Sequence, residues 1–212
     1  MYNKLQYISQ GNTVEEQITN IRKALDNGCE WIQLRFKTQN TMDLFNLAES
    51  TKILCDVYSA NYIINDNVYL AQQFEADGVH LGLTDMKISE ARQILGDTKM
   101  IGGTANTFAD IQQRSAEQCD YIGLGPFQHT DTKENLSPIL GIEGYRSILK
   151  KVKSKKIAIP IYAIGGIALE NIEILMETGI YGIAVCSLIT KSEKPKKLIS
   201  QLNEKIYGSV TI

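Results

Sequence analysis

Arg35 and Lys37 stand two residues apart in QLRFK, and two carboxylates end nearby segments: Asp66 in IIND and Asp85 in GVHLGLTD. Two cations pointing the same way are costly to desolvate unless an anion meets them. Two carboxylates brought together can hold a hard divalent cation. Magnesium takes oxygen ligands, keeps several waters and binds alongside phosphate oxygens. The bland alternatives are a salt bridge from the bases to a carboxylate such as Asp66, and aspartates that merely cap helices. Bases and carboxylates together favour a metal–pyrophosphate site. A second set of residues is largely neutral. GPFQHTDTKEN (125–135) places Thr130, Thr132 and Lys133 in T-x-T-K order after the apolar run YIGL. Thr104 closes IGGT, Gly165 and Gly166 lie in AIGGI, and Cys186 and Ser187 close VCS. Hydroxyls and backbone amides suit a monophosphate. In chain order the 125–135 loop lies between the charged residues and the Gly165, Gly166 and Ser187 donors, where it can bridge two phosphorylated substrates.

These residues follow short apolar runs, and the runs recur eight times: 4–9, 31–36, 61–65, 78–82, 99–104, 120–125, 159–166 and 181–187. Helix-like segments separate them at 14–27, 41–57, 68–75, 88–95, 107–117, 142–153, 169–178 and 195–207, with apolar residues three and four apart. The 41–57 segment carries Leu44, Leu47, Ile53, Leu54 and Val57 in this way. Thr13 with Glu16 reads as a capping box, Ser89 as a helix cap, and Gly28 and Gly179 as helix stops. Strands that alternate with helices make a parallel sheet, because parallel neighbours need crossovers. Eight such units close a (β/α)8 TIM barrel, here a single domain over residues 1–212. The rival open sheet is weakened by the lack of G-x-G-x-x-G after the first strand. Barrel chemistry sits at the C-terminal strand ends. Alternation there puts Gln33, Arg35 and Lys37 on the face toward the barrel axis, and Ile32, Leu34 and Phe36 under the helices. Lysine-rich KSEKPKK (191–197) is a solvated approach to the last helix.

The 212 residues carry a net charge of −2, so no general attraction to nucleic acid or an anionic membrane is expected. No apolar run approaches a membrane span, and MYNKLQYISQ is no secretory signal. The expected setting is soluble and cytoplasmic. Cys29, Cys55, Cys119 and Cys186 show no C-x-x-C spacing and read as reduced thiols. His80 and His129 are too few for a histidine zinc site. His129 reads as a loop residue; His80 is open between a barrel-wall role and a ligand contact.

QLRFK, IND, GVHLG followed by Asp85, the GT at 103–104, YIGLGP with TDTK, AIGGI and VCS together resemble the thiamine phosphate synthase family through nearly the whole chain. The resemblance implies a magnesium-dependent transferase, with a homodimer favoured. It would join a hydroxymethylpyrimidine diphosphate to a (carboxy)thiazole phosphate, releasing pyrophosphate, by a dissociative path through a pyrimidine-methyl cation. Position by position, Gln33, Arg35, Lys37 and Asn65 match residues that hold the pyrimidine diphosphate. Asp66 and Asp85 match the magnesium ligands. Thr130 and Thr132 match contacts to the thiazole phosphate, and Lys133 matches a lysine that reaches the diphosphate. Gly166, Cys186 and Ser187 match the thiazole-phosphate cradle. Arg35, Lys37 and Lys133 would then be catalytic, by stabilising charge on the leaving group. The chain departs at Thr104, where serine is common, at 105–107, where a histidine is frequent, and at Cys186, where a larger apolar residue is usual. Rival readings are a thiazole tautomerase, which needs neither metal nor pyrophosphate site, a phosphosugar isomerase, which wants an acid–base pair, and a regulatory module that binds without turnover.

Overall fold

The computed structural model describes residues 2–130 and 137–208. Eight parallel strands close in chain order, from β1 beside β2 round to β8 beside β1. They are β1 (Leu5–Ile8), β2 (Trp31–Leu34), β3 (Asn61–Asn65), β4 (Gly78–Leu81), β5 (Met100–Ala105), β6 (Tyr121–Leu124), β7 (Ile161–Ile164) and β8 (Gly182–Val185). The outer helices are α1 (Val14–Asp26), α2 (Thr41–Tyr58), α3 (Val68–Gln73), α4 (Ile88–Leu95), α5 (Phe108–Ala116), α6 (Gly141–Ser154) and α7 (Ile172–Glu177). A 3-10 turn, Leu169–Asn171, leads into α7. A short helix, α8 (Ser187–Thr190), directly follows β8, and α9 (Pro195–Tyr207) closes the ring. The eight alternating units therefore form the expected (β/α)8 barrel.

Alternation along the strands builds two cores. Ile32, Leu34, Ile64, Val79, Leu81, Ile101 and Ile122 face outward and pack under the helices. Trp31, Ile63, Tyr121 and Tyr162 face inward and fill the barrel. The Trp31 ring meets Tyr121 and Tyr162 edge-on, with centroids 5.0 and 5.2 Å apart. Each such contact adds about 0.5–1.5 kcal/mol to the burial of the rings. The adjacent strand gives way to this bulk: a Cβ on Gly102 of β5 would lie 2.1 Å from the Tyr121 ring.

Three local expectations need correction. Ser89 does not cap α4; the helix begins at Ile88, which is fully buried, after an extended Lys87 that makes no side-chain cap bond, so Ser89 already lies inside the first turn. On α2, Ile53 and Val57 are 59% and 74% exposed, while Leu47, Ala48, Thr51 and Cys55 form the buried face. Ile53 and Val57 lie two residues beyond Thr51 and Cys55, about 200° further round the helix. The capping box of α1 is displaced: Thr13 accepts the Glu16 N–H at 3.1 Å, but the Glu16 carboxylate takes the Asn12 N–H, at 2.6 Å. Gly28 and Gly179 follow α1 and α7 at φ 96° and 92°, as helix stops should. Pro195 opens α9, whose buried face carries Ile199, Leu202 and Ile206.

Candidate active site

At the C-terminal strand ends the described residues enclose a cleft of about 610 Å³. Gln33, the inward residue near the end of β2, is 2% exposed and donates from Nε2 to Asn65 Oδ1 at 2.9 Å. Past the strand the chain keeps its alternation. The Arg35 N–H donates to Ser9 Oγ at 2.9 Å, and its carbonyl accepts from Gln17 Nε2 at 3.2 Å. Those bonds point the segment across the mouth, where the Lys37 ammonium pairs with Asp66.

Asp66 holds a left-handed backbone, φ 65°, fixed by its N–H to the His80 carbonyl at 2.8 Å. A non-glycine residue there is uncommon and marks a position worth its strain. Asp85 sits in the turn after β4 and accepts the Gly82 N–H at 2.6 Å. A Cβ at Gly82 would come 2.8 Å from that carboxylate oxygen. Burial raises the Asp85 carboxyl above its ordinary range, and its contact with the Asp66 carboxyl adds to the rise. The Gly82 N–H and Lys37 pull the other way. Asp85 thus closes a turn and is a partner of Asp66; neither aspartate caps a helix, since Asn67 precedes α3 and Lys87 precedes α4.

The other side of the mouth is built from backbone. Phe127 N–H donates to the Ile164 carbonyl at 2.8 Å and Gln128 N–H to the Gly165 carbonyl at 3.0 Å. These bonds lay the loop after β6 on the end of β7. Gly165 and Gly166 have φ 84° and 67°, and a Cβ on Gly166 would fall 2.6 Å from the His129 carbonyl. Only glycine fits that approach. Cys186 lies between the sides, half-buried, with Sγ 3.5 Å from Gln10 Oε1. Burial pushes its thiol up to about 12, although the Arg35 charge works against it.

Every candidate within the described residues lines this one cleft: Gln33, Arg35, Lys37, Asn65, Asp66, Asp85, Thr104, Thr130, Gly166, Cys186 and Ser187. Thr132 and Lys133 lie outside the described residues. Strand alternation had not shown that α8 begins at Ser187. Tyr7 Oη pairs with Thr190 Oγ1 at 2.7 Å, and Lys23 Nζ donates to the Thr190 and Ser192 carbonyls at 3.0 and 2.7 Å. These tertiary bonds hold the end of a helix too short to persist alone.

The thiamine monophosphate synthase family model matches residues 5–189. The chain belongs to the thiamine monophosphate synthase family. A thiamine-phosphate synthase of Flavobacterium psychrophilum is 66% identical over 206 residues, covering 97% of this chain and 100% of that one. Its Flavobacterium johnsoniae counterpart is 65% identical over the full length of both. Among solved structures, thiamine phosphate pyrophosphorylase from Pyrococcus furiosus superposes with a TM-score of 0.82 at 29% identity, covering 98% of this chain and 96% of that one.

In this member of the thiamine monophosphate synthase family, the carboxylate pair fits a magnesium ion by its chemistry. Asp66 and Asp85 are both oxygen donors and they adjoin each other; the Lys37 ammonium, paired with Asp66, would have to yield that carboxylate to the metal. No group of three or more histidine, cysteine or acidic residues fit to hold a metal occurs among the described residues. Waters and substrate oxygens would complete the shell. No helix among the described residues is long and apolar enough to cross a membrane. Residue-by-residue reading missed Gln6, Tyr121 and Asn106, which also line the cleft. Gln6 carried a signal: it is a polar residue inside an apolar strand run, like Gln33. Asn106 donates to the Gly125 carbonyl and accepts from Ser137 Oγ at 2.9 Å, so it ties the loops after β5 and β6 together.

Proposed function

We propose that the two sides of the mouth hold two phosphorylated heterocycles and join them. The chain's activity is that of a thiamine-phosphate synthase. A hydroxymethylpyrimidine diphosphate loses pyrophosphate as its C–O bond breaks, and the thiazole nitrogen of a (carboxy)thiazole phosphate forms the new C–N bond. The observation that carries this reading is the Lys37–Asp66–Asp85 cluster, beside the Gln33–Asn65 pair, facing the glycine-built rim across one cleft. A volume of about 610 Å³ suits small ligands held side by side.

Asp66 and Asp85 would hold magnesium, which when bound offsets diphosphate charge as a Lewis acid. Arg35 and Lys37 stabilise the charge that grows on the leaving group, and Lys133 joins them. Gln33 and Asn65 orient the pyrimidine part, and Thr104 contributes a hydroxyl. Thr130, Thr132, Gly166, Cys186 and Ser187 hold the thiazole phosphate, which fixes its nitrogen close to the electrophilic carbon. No side-chain nucleophile takes part. The carboxylate pair favours this reading over a thiazole tautomerase, which would use the neutral rim alone. The same reading takes residues 1–212 as one domain acting in the cytoplasm as a homodimer, to be checked by light scattering.

The test mixes both heterocycles with the protein, with and without magnesium. Pyrophosphate and thiamine phosphate should appear in equal amounts and only with the metal. Saturable thiazole-phosphate binding without turnover would replace the enzyme by a binding module.

A further inference from the structure

A hydrogen-bonded chain runs from the barrel interior to the cleft. Gln6 Nε2 lies 3.4 Å from Tyr121 Oη, Tyr121 Oη lies 3.2 Å from His80 Nδ1, and His80 Nε2 lies 3.1 Å from Thr104 Oγ1. Gln6, His80 and Tyr121 are 2%, 7% and 1% exposed, so water does not compete for these bonds. The strand that carries Tyr121 also makes room for the imidazole: a Cβ on Gly123 of β6 would stand 3.2 Å from His80 Cε1.

Donor accounting gives the chain a direction. The Gln6 amide N–H donates to the tyrosine oxygen. The tyrosine proton, buried, must itself find an acceptor, and His80 Nδ1 is the acceptor beside it. A neutral imidazole that accepts at Nδ1 carries its proton at Nε2. Nε2–H then donates to Thr104 Oγ1, which leaves the threonine proton to point elsewhere. Thr104 lines the cleft. We propose that Tyr121, backed by Gln6, is a positioning residue: it fixes the His80 tautomer so that Thr104 offers a hydrogen, not a lone pair, to an acceptor oxygen of the bound diphosphate. The opposite direction, with His80 protonated at Nδ1, would spend the Thr104 proton on the barrel wall and turn a lone pair toward an anion. The chain thus also gives the buried polar groups of Gln6, His80 and the Tyr121 hydroxyl partners inside the barrel. The consequence for Thr104 rests on the proposed synthase reading; the tautomer does not.

Two measurements test it. The chain has only two histidines, so nitrogen-15 histidine labelling gives two imidazole patterns, and His129→Gln identifies that of His80. Long-range proton–nitrogen spectra of the full-length protein, well above the ordinary imidazole pKa, should show His80 protonated at Nε2 with a pyridine-like Nδ1. A proton on Nδ1 overturns the proposal whatever the enzyme does. Tyr121→Phe should then mix the two tautomers and lower kcat about tenfold, while KM for the thiazole phosphate stays put. An unchanged kcat with an intact thermal transition also overturns it. If that variant does not fold, the wild-type spectrum still decides. Wild-type protein that makes no thiamine phosphate would defeat the synthase reading and leave the spectrum to judge the relay.

Discussion

The two rims of the mouth, to which the proposed function assigns one phosphorylated substrate each, are built with different physics. On the rim from β2 to β4 the side chains carry the work and satisfy one another in advance: Lys37 on Asp66, Asp66 against Asp85, Gln33 on Asn65. A ligand there must exchange partners with groups that are already paired. On the rim from β6 to β8 the backbone is the instrument, held by the Phe127 and Gln128 amides and by two glycines at positive φ. A ligand there meets a shape fixed before it arrives. Substitutions on the first rim should therefore change charge balance and spare the fold, whereas those on the second should disturb geometry.

The largest effect expected is from Asp66→Gly. Glycine accepts φ 65° without strain, so the substitution removes the carboxylate and leaves the backbone at ease. The Lys37 partner is 63% exposed in its side chain, so the lost ion pair costs little stability. Turnover should fall about 10²–10³-fold and lose its magnesium response, while unfolding free energy stays within about 1 kcal/mol of wild type or rises. Magnesium titrations of rate, with urea melts, measure both. A variant that loses stability in step with activity would make Asp66 a structural residue and erase the contrast between the rims.

Gly166→Ala probes the other rim and should behave in the opposite way. The added methyl falls on the His129 carbonyl and the Gln128 side chain, at 2.6 and 2.8 Å, on a backbone that L-residues avoid. Stability should drop by about 1–3 kcal/mol. KM for the thiazole phosphate should rise about tenfold or more, with the magnesium response intact. Normal thiazole-phosphate affinity in a destabilised variant would show that Gly166 serves the fold and not the ligand.

The same division decides what could be read from the amino acids alone. Side-chain chemistry in strand register is legible: Gln33, Arg35 and Lys37 keep their shared face even though β2 ends at Leu34. Backbone devices are legible only as glycine pairs, which tight turns also use. Features that need several elements at once were out of reach. α8 depends on Tyr7 from β1 and Lys23 from α1, which no local pattern links to SLIT. The Gln6–Tyr121–His80 chain joins β1, β6 and β4, whose registers exist only in the closed barrel. On α2, periodicity picked Ile53 and Val57, but the wall took the narrower stripe of Ala48, Thr51 and Cys55.

The smallest effect lies at the seam, where Cys186 feels both rims. The charged rim, through Arg35, favours the thiolate; enclosure by the neutral rim favours the thiol, and enclosure wins, with the group pushed up to about 12. Cys29, Cys55 and Cys119 are pushed to about 12 by burial too, but each is buried, whereas Cys186 is half-buried. Since the thiolate is the nucleophile, a disulfide reagent at neutral pH should label none of the four in the folded protein at the rate seen after denaturation. As pH rises the thiolate fraction grows, and Cys186 should react first because reagent can reach it. Thiazole phosphate, seated on the neutral rim, should slow that reaction, and magnesium alone should not. Rapid labelling of Cys186 at neutral pH would mean that the Arg35 field reaches across the seam and outweighs burial, so that the neutral rim is not electrostatically neutral at all.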